Sequence, residues 1–293
     1  MGFPGIARLV DYEEHSSALP GEELRFLHGR RVHFRSRGEG RVVVFLHGMA
    51  ASSFSFRDLM ARVPSGFRFL TIDLNGFGFS ERGSEVESYR LTRQAEVIKA
   101  LLEDLAIDRV SLFGHSLGGA VAASFANRFP ENVERVFLVS PVSKFDRPPW
   151  YLRNGISARA LYAGIRVLLS RPERFRELMG RAFFQENILT ELVAEEYRRQ
   201  LLVEGLRDAF VGYGVALSQE QNLSETYSQL IPPAHLLGGE EDAIVSPDSL
   251  RELVQSIPRA DLSLLPDCGH SAPEEFPDSV LKWILASSSS EEV

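Results

Sequence analysis

The stretch that most constrains this chain runs Val110-Ser111-Leu112-Phe113-Gly114-His115-Ser116-Leu117-Gly118-Gly119-Ala120. An apolar, β-prone run meets Gly-His-Ser-Leu-Gly and continues as helix-forming sequence, with Val121, Phe125 and Phe129 at helical spacing. Reversing from strand to helix within about four residues forces the central residue into strained backbone geometry and pushes its side chain out at the sheet's edge. Gly114 and Gly118 leave room for the reversal, and Gly119 and Ala120 let the helix lie close to the sheet. A serine held in this way is exposed for attack, which makes Ser116 the candidate nucleophile. The short pattern alone carries little weight; the strand before it and the helix after it carry more.

Around this turn the apolar patterning alternates between strand and helix. Glu22 to Leu27 and Arg30 to Ser36 read as an antiparallel pair, and Arg41 to Leu46 as a buried strand. Helix is expected over Ser52 to Val63, Ser88 to Leu105 and Leu117 to Phe129, and strand over Phe67 to Ile72, Arg109 to Phe113 and Arg135 to Val139. That rhythm implies an α/β fold with a mostly parallel sheet and helices on both faces.

The rhythm breaks after Ser140-Pro141. Residues 144–230 show helical stretches punctuated at Asn154-Gly155, Ser170-Arg171-Pro172 and Gly205, and read as an inserted helical cap. Alternation resumes with strands over Ala234 to Leu237 and Asp261 to Leu265 and helices over Asp248 to Gln255 and Pro273 to Ala286. One core, residues 1–143 and 231–286, is therefore interrupted by one cap. The polar tail 287–293 is expected to be disordered.

A chain of 293 residues with 44% hydrophobic content can bury the core of one large domain. A net charge of -8 argues against nucleic acid as a partner, which needs concentrated Lys and Arg. A lone cysteine, Cys268, excludes an intramolecular disulfide, no Cys/His cluster has zinc spacing, and a reducing, cytoplasmic compartment fits best. Neither a signal peptide nor a myristoylation signal is expected from Met1 to Val10, and no run of about 18 apolar residues could span a bilayer. Without a secretion signal, Asn222-Leu223-Ser224 reads as a coincidental glycosylation match.

A serine hydroxyl needs a base to take its proton and an acid to hold that base in the right tautomer. Downstream, Asp242 stands in Leu237-Gly238-Gly239-Glu240-Glu241-Asp242 just after a strand, and His270 in Asp267-Cys268-Gly269-His270 after the last strand. Carboxyl ends of parallel strands are where such sheets gather their site residues. For the acid, Glu240, Glu241 and Asp146 remain alternatives to Asp242. His115 is expected to point away from the nucleophile and to serve packing or hydrogen bonding, and His47 to brace its loop. Asp73 and Ser80 should secure a turn, and Cys268 is no nucleophile beside an intact serine elbow.

Taken together, the chain closely resembles the α/β-hydrolase family, over nearly its whole length apart from the tails and the cap. Four motifs match in order: His47-Gly48-Met49-Ala50; Asp73-Leu74-Asn75-Gly76-Phe77-Gly78-Phe79-Ser80; the elbow; and Gly239-x-x-Asp242 with Gly269-His270. Asn75 replaces the usual proline and Phe56 an aromatic that is often tryptophan. The resemblance implies a sheet of about eight strands, a Ser116-His270-Asp242 triad, and an oxyanion hole made by the backbone N–H groups of Met49 and Leu117. It implies a cofactor-free serine esterase acting on a small ester with an apolar part. Thioester, lactone or amide hydrolysis, carbon-carbon bond hydrolysis and perhydrolase or haloperoxidase activity stand as alternatives on the same triad. His-Ser-Leu leans toward esterase, since carbon-carbon hydrolases often carry Asn-Ser-Met. Relatives that open epoxides or displace halide normally use aspartate where Ser116 stands. A small-ligand receptor with slow turnover is the alternative from another class.

Ile156, Leu161, Ile165, Leu168 and Leu169, interrupted by Arg159 and Arg166, form an amphipathic cap helix. Packing on the body is its expected role; contact with membrane lipid is the competing one. Seven arginines between Arg153 and Arg181, against Glu173 and Glu177, are a weak pointer to an anionic substrate.

Overall fold

The computed structural model describes residues 22–27, 29–143, 155–220 and 223–288. Among them, eight strands form a single sheet in the order β1-β2-β4-β3-β5-β6-β7-β8. The strands are β1 Glu22–Leu27, β2 Arg30–Gly38, β3 Arg41–Leu46, β4 Phe67–Ile72, β5 Val110–His115, β6 Val133–Val139, β7 Ala234–Gly239 and β8 Ala260–Leu265. β2 runs antiparallel to β1 and β4, and every other pairing is parallel.

Eleven α-helices accompany these strands among the described residues. They are α1 Arg57–Ala61, α2 Leu91–Asp104, α3 Leu117–Arg128, α4 Gly155–Leu169, α5 Pro172–Gly180, α6 Glu191–Leu201, α7 Leu206–Gln219, α8 Leu223–Ser228, α9 Pro247–Ser256, α10 Ala272–Glu275 and α11 Pro277–Ser288. The period of two along the strands divides the core. Val44, Leu46, Leu70, Leu112 and Leu138 face α2 and α3, whereas Val43, Phe45, Phe69, Phe113 and Phe137 face α1 and α11. Central strands buried on both faces read as unbroken apolar runs, and β5 is buried along its whole length.

Several helices depart from the expected bounds. Ser52 to Val63 is a 3-10 turn, Ser53–Phe56, followed by the short α1, because Ser52 Oγ accepts from Phe54 N and the Asp73 carboxylate accepts from Ser53 N at 2.6 Å. Helix over Ser88 to Leu105 starts only at Leu91, after the turn Val86–Tyr89, since Arg90 is extended. Pro273 to Ala286 is two helices: Phe276 leaves the helical region (φ -134, ψ 56) ahead of Pro277, as a residue before proline tends to do. α11 continues two residues into the polar tail, where Ser288 Oγ donates to Ile284 O, and residues 289–293 lie outside the described residues.

Between β6 and β7 every described element is helical, from α4 to α8, and this segment is called the cap below. α4 packs Ile165, Leu168 and Leu169 into the larger core; the side chains of Ile156, Arg159 and Leu161 lie outside the described residues. Two buried polar anchors dock α6 and α7. Tyr213 on α7 donates to Asn75 O and accepts from Gln94 Nε2, and Arg82 donates to the carbonyls of Gln200 and Val203 around the end of α6.

Candidate active site

Ser116 sits alone between the end of β5 and the start of α3, with φ 54 and ψ -117, a region that glycine favours. Its backbone is held on both sides: Ser116 N donates to Val139 O at 2.9 Å, and Ser116 O accepts from Gly119 N at 3.0 Å. The close approach is absolute. A Cβ on Gly114 would overlap Gly118 O, and one on Gly118 would overlap Leu46 O at the end of β3, so α3 is seated against two strands. Among the described residues no hydrogen bond closes on Ser116 Oγ.

His270 and Asp242 come together from the loops after β8 and β7. Asp242 Oδ2 lies 2.8 Å from His270 Nδ1, and Oδ1 accepts from the backbone N–H groups of Ile244 and Val245 at 2.8 and 2.9 Å. Burial would raise the Asp242 carboxyl, but His270 and those two N–H groups outweigh it and hold the group below the usual carboxylate range. An ionised Asp242 accepts the proton on Nδ1, which leaves Nε2 as a lone-pair acceptor. Gly239 permits the approach of the two loops, since a Cβ there would overlap the carbonyls of Cys268 and Gly269. Glu240 and Glu241 are exposed while Asp242 is 5% exposed, so only Asp242 of the three meets the histidine. Asp146 lies outside the described residues.

The turn after β3 backs onto the elbow. A Cβ on Gly48 would lie 3.1 Å from Ser116 Cβ and 3.6 Å from its Oγ, so Met49 follows directly on the residue that touches the serine. The N–H groups of Met49 and Leu117 have no backbone acceptor among the described residues. His47 holds this turn: Nε2 accepts from Leu74 N at 3.0 Å, so Nδ1 carries the proton and donates to Gly48 O at 2.8 Å. Burial lowers its basicity below the ordinary histidine value, as suits a brace that stays neutral.

The alpha/beta hydrolase fold family matches residues 41–277. The chain belongs to that family. It is 28% identical to the AB hydrolase superfamily protein YisY of Bacillus subtilis over 257 residues, covering 86% of this chain and 93% of the relative. A 2-hydroxy-6-oxononadienedioate/2-hydroxy-6-oxononatrienedioate hydrolase of Comamonas testosteroni is 27% identical over 266 residues, covering 87% of this chain and 90% of its own. The enol-lactonase of Burkholderia xenovorans shares the fold with a TM-score of 0.75 at 22% identity, over 90% of this chain and 98% of the other.

Elsewhere in this α/β hydrolase, the remaining singled-out residues serve the scaffold. Asp73 accepts from Ser53 N, Phe79 N and His33 Nδ1, and Ser80 Oγ donates to Asp73 O. Burial alone would raise the Asp73 carboxyl; His33, His47 and the Phe79 N–H hold it far below the usual range. Cys268 is buried, and burial with Glu275 and Asp242 nearby pushes its thiol well above the ordinary value, so it is not a thiolate nucleophile. His115 takes the hydrogen-bonding one of its two expected roles: Nε2 meets His270 O at 2.8 Å, so it touches the loop of the histidine itself. Among the described residues no group of three or more His, Cys, Asp or Glu side chains is placed to hold a metal ion, and no helix is long and apolar enough to cross a membrane.

Sequence reasoning did not single out Tyr197, Glu274 or Arg57. Tyr197 on α6 donates to Glu274 Oε1 at 2.7 Å and meets Ser55 Oγ at 2.9 Å, while Arg57 pairs with Glu274 Oε2. This network joins the cap to the loops after β3 and β8. Its members are spread over more than 200 positions of sequence, so no local pattern announces it. A groove of about 1100 Å³ opens between α5, α6 and the loop after β7, lined by Phe175, Phe183, Phe184, Leu192 and by Glu241 and Ala243, the neighbours of Asp242.

Proposed function

We propose that this α/β hydrolase is a serine hydrolase that cleaves a carboxylic ester with an apolar acyl or alcohol part, without a cofactor. The observation that carries the reading is the Asp242–His270 pair, which directs the proton to Nδ1 and leaves Nε2 as an acceptor, at the same sheet edge where the strained elbow after β5 carries Ser116. Nε2 takes the Ser116 proton as Oγ attacks the carbonyl carbon, and Asp242 stabilises the imidazolium. The N–H groups of Met49 and Leu117 receive the oxyanion, each donor worth about a hundredfold to a thousandfold in rate. His270 then protonates the leaving alcohol, and the acyl-enzyme is released by a water that His270 deprotonates.

A second reading, carbon-carbon bond hydrolysis on the same triad, is favoured by the Comamonas testosteroni relative, whose likeness spans most of both chains. A fluorophosphonate probe and a para-nitrophenyl ester series test the two together. Labelling of the folded protein that is lost in Ser116→Ala, with ester turnover, supports the esterase. Failure to label, or equal labelling of Ser116→Ala, overturns the serine chemistry. Labelling without ester turnover, but with cleavage of a 2-hydroxy-6-oxodienoate, moves the assignment to the second reading.

A further inference from the structure

The loop that carries His270 is gripped from three directions, one of them His115 Nε2 on the His270 carbonyl at 2.8 Å. Asp242 holds the ring, whereas the cap holds the backbone through the segment 182–185 between α5 and α6. His270 N and Ser271 N both donate to Ala182 O, at 3.0 and 3.1 Å. Glu275, at the end of α10, closes the grip from the other side: Oε1 accepts from Gly269 N at 3.0 Å, and Oε2 accepts from Phe184 N at 2.7 Å and Gln185 N at 2.9 Å. One buried carboxylate thus joins the residue preceding the histidine to two consecutive residues of the cap. The fit is tight enough that a Cβ on Gly269 would stand 2.6 Å from Phe184 N and 3.1 Å from Glu275 Oε1.

Hydrogen bonds to an ionised acceptor are shorter and stronger than neutral ones, and a carboxylate shared by three N–H groups fixes their mutual positions. Residues 269–271 cannot shift against 182–185 without leaving buried donors unpaired. The ring contact with Asp242 sets the tautomer and His115 holds one carbonyl, but neither ties the N–H groups of 269–271, which could still carry the ring closer to Ser116 or further away. That remaining freedom is what the cap contacts remove.

We propose that Glu275 is a positioning residue for the base: by tying Gly269 N to the backbone of Phe184 and Gln185, it sets the reach of His270 toward Ser116 and makes this part of the cap a component of the proton-transfer machinery. This role rests on the serine-hydrolase reading above. A displacement on the scale of 1 Å at the base costs about a hundredfold in rate, so Glu275→Ala is expected to lower kcat by that order while leaving KM within about threefold. Glu275→Gln keeps one acceptor oxygen, for either Gly269 or the cap but not both, and is expected to fall between.

The test measures ester kcat and KM and the fluorophosphonate labelling rate for wild type, Glu275→Gln and Glu275→Ala, each with His270 intact and in the His270→Ala background, with thermal unfolding as the folding control. If Glu275 acts through His270, its substitution lowers kcat and labelling in the first background and changes the residual rate by less than about threefold in the second. Equal fold-losses in both backgrounds, or kcat and labelling within about threefold of wild type for Glu275→Ala, would overturn the proposal. Should Glu275→Ala not fold, Glu275→Gln carries the same comparison. Wild-type protein that neither labels nor turns over the ester would overturn the serine reading itself, and this role with it.

Discussion

His115 Nε2 lies 2.8 Å from the carbonyl oxygen of His270, and the two imidazole rings stand with centroids 4.8 Å apart. An oxygen acceptor facing Nε2 requires the proton there, so Nδ1 holds a lone pair, and it has no hydrogen-bond partner. Burial, then the neighbouring His270, pushes His115 down to about 3. His115, next to Ser116, is thus a donor to the His270 loop that stays neutral well below pH 6.5.

This neutrality has a stability consequence. In the unfolded chain His115 titrates at its ordinary 6.5, whereas the folded protein resists the proton until about 3. The unfolded state therefore binds more protons between those values, and stability present above pH 6.5 is lost as pH falls through that window, by about 2 kcal/mol at pH 5 for one such group. His47, also lowered by burial, acts with the same sign. Urea denaturation at pH 7.5 and pH 5 checks this; His115→Gln keeps a donor without the titration and should show a smaller drop.

Asp242→Asn should leave the fold intact and lower kcat by about 10⁴-fold, because an amide no longer enforces the Nδ1–H tautomer of His270. Glu240→Gln and Glu241→Gln, at exposed positions outside the pair, should leave kcat unchanged. Steady-state kinetics on one activated ester distinguishes the three variants.

Ser116→Gly should abolish activity and raise stability. Relief of the backbone strain at φ 54, ψ -117 is worth about 1–3 kcal/mol, offset by about 0.4–1 kcal/mol from the freer unfolded chain. No hydrogen bond among the described residues is lost with Oγ, so a net gain of about 1 kcal/mol is expected in chemical denaturation.

Cys268, buried and with its thiol held protonated, should not react with iodoacetamide in the native protein. Mass spectrometry should find alkylation only after denaturation, and treated native protein should keep whatever rate untreated protein shows on an activated ester.

Much of the site was legible because its signals are local. Gly114 and Gly118 are demanded by contacts within the strand-turn-helix and with the adjacent strand, so their spacing shows in the sequence. Asp242 and His270 each follow a strand whose apolar run marks where the chain reaches the sheet's edge. The Gly-x-x-Asp match to the family favours Asp242 among the three adjacent acids, whereas the exposure of Glu240 and Glu241 and the contact of Asp242 with His270 are visible only in the fold. The loop 181–190 carries no pattern of its own, yet its Ala182 carbonyl and its Phe184 and Gln185 amides are what hold the histidine loop. Backbone groups are the same in every residue, so sequence cannot distinguish those that bind.

The elbow, the order Ser116, Asp242, His270, and the alternation of strand and helix were determined by the sequence alone, because short-range sterics and apolar periodicity act between near neighbours. Tertiary structure decided what holds the His270 loop: His115 on its carbonyl, and Glu275 reaching 91 positions back to Phe184. Those contacts exist only once the cap has docked, since a buried carboxylate finds its three donors through the packing of whole elements and not through any residue beside it in the chain.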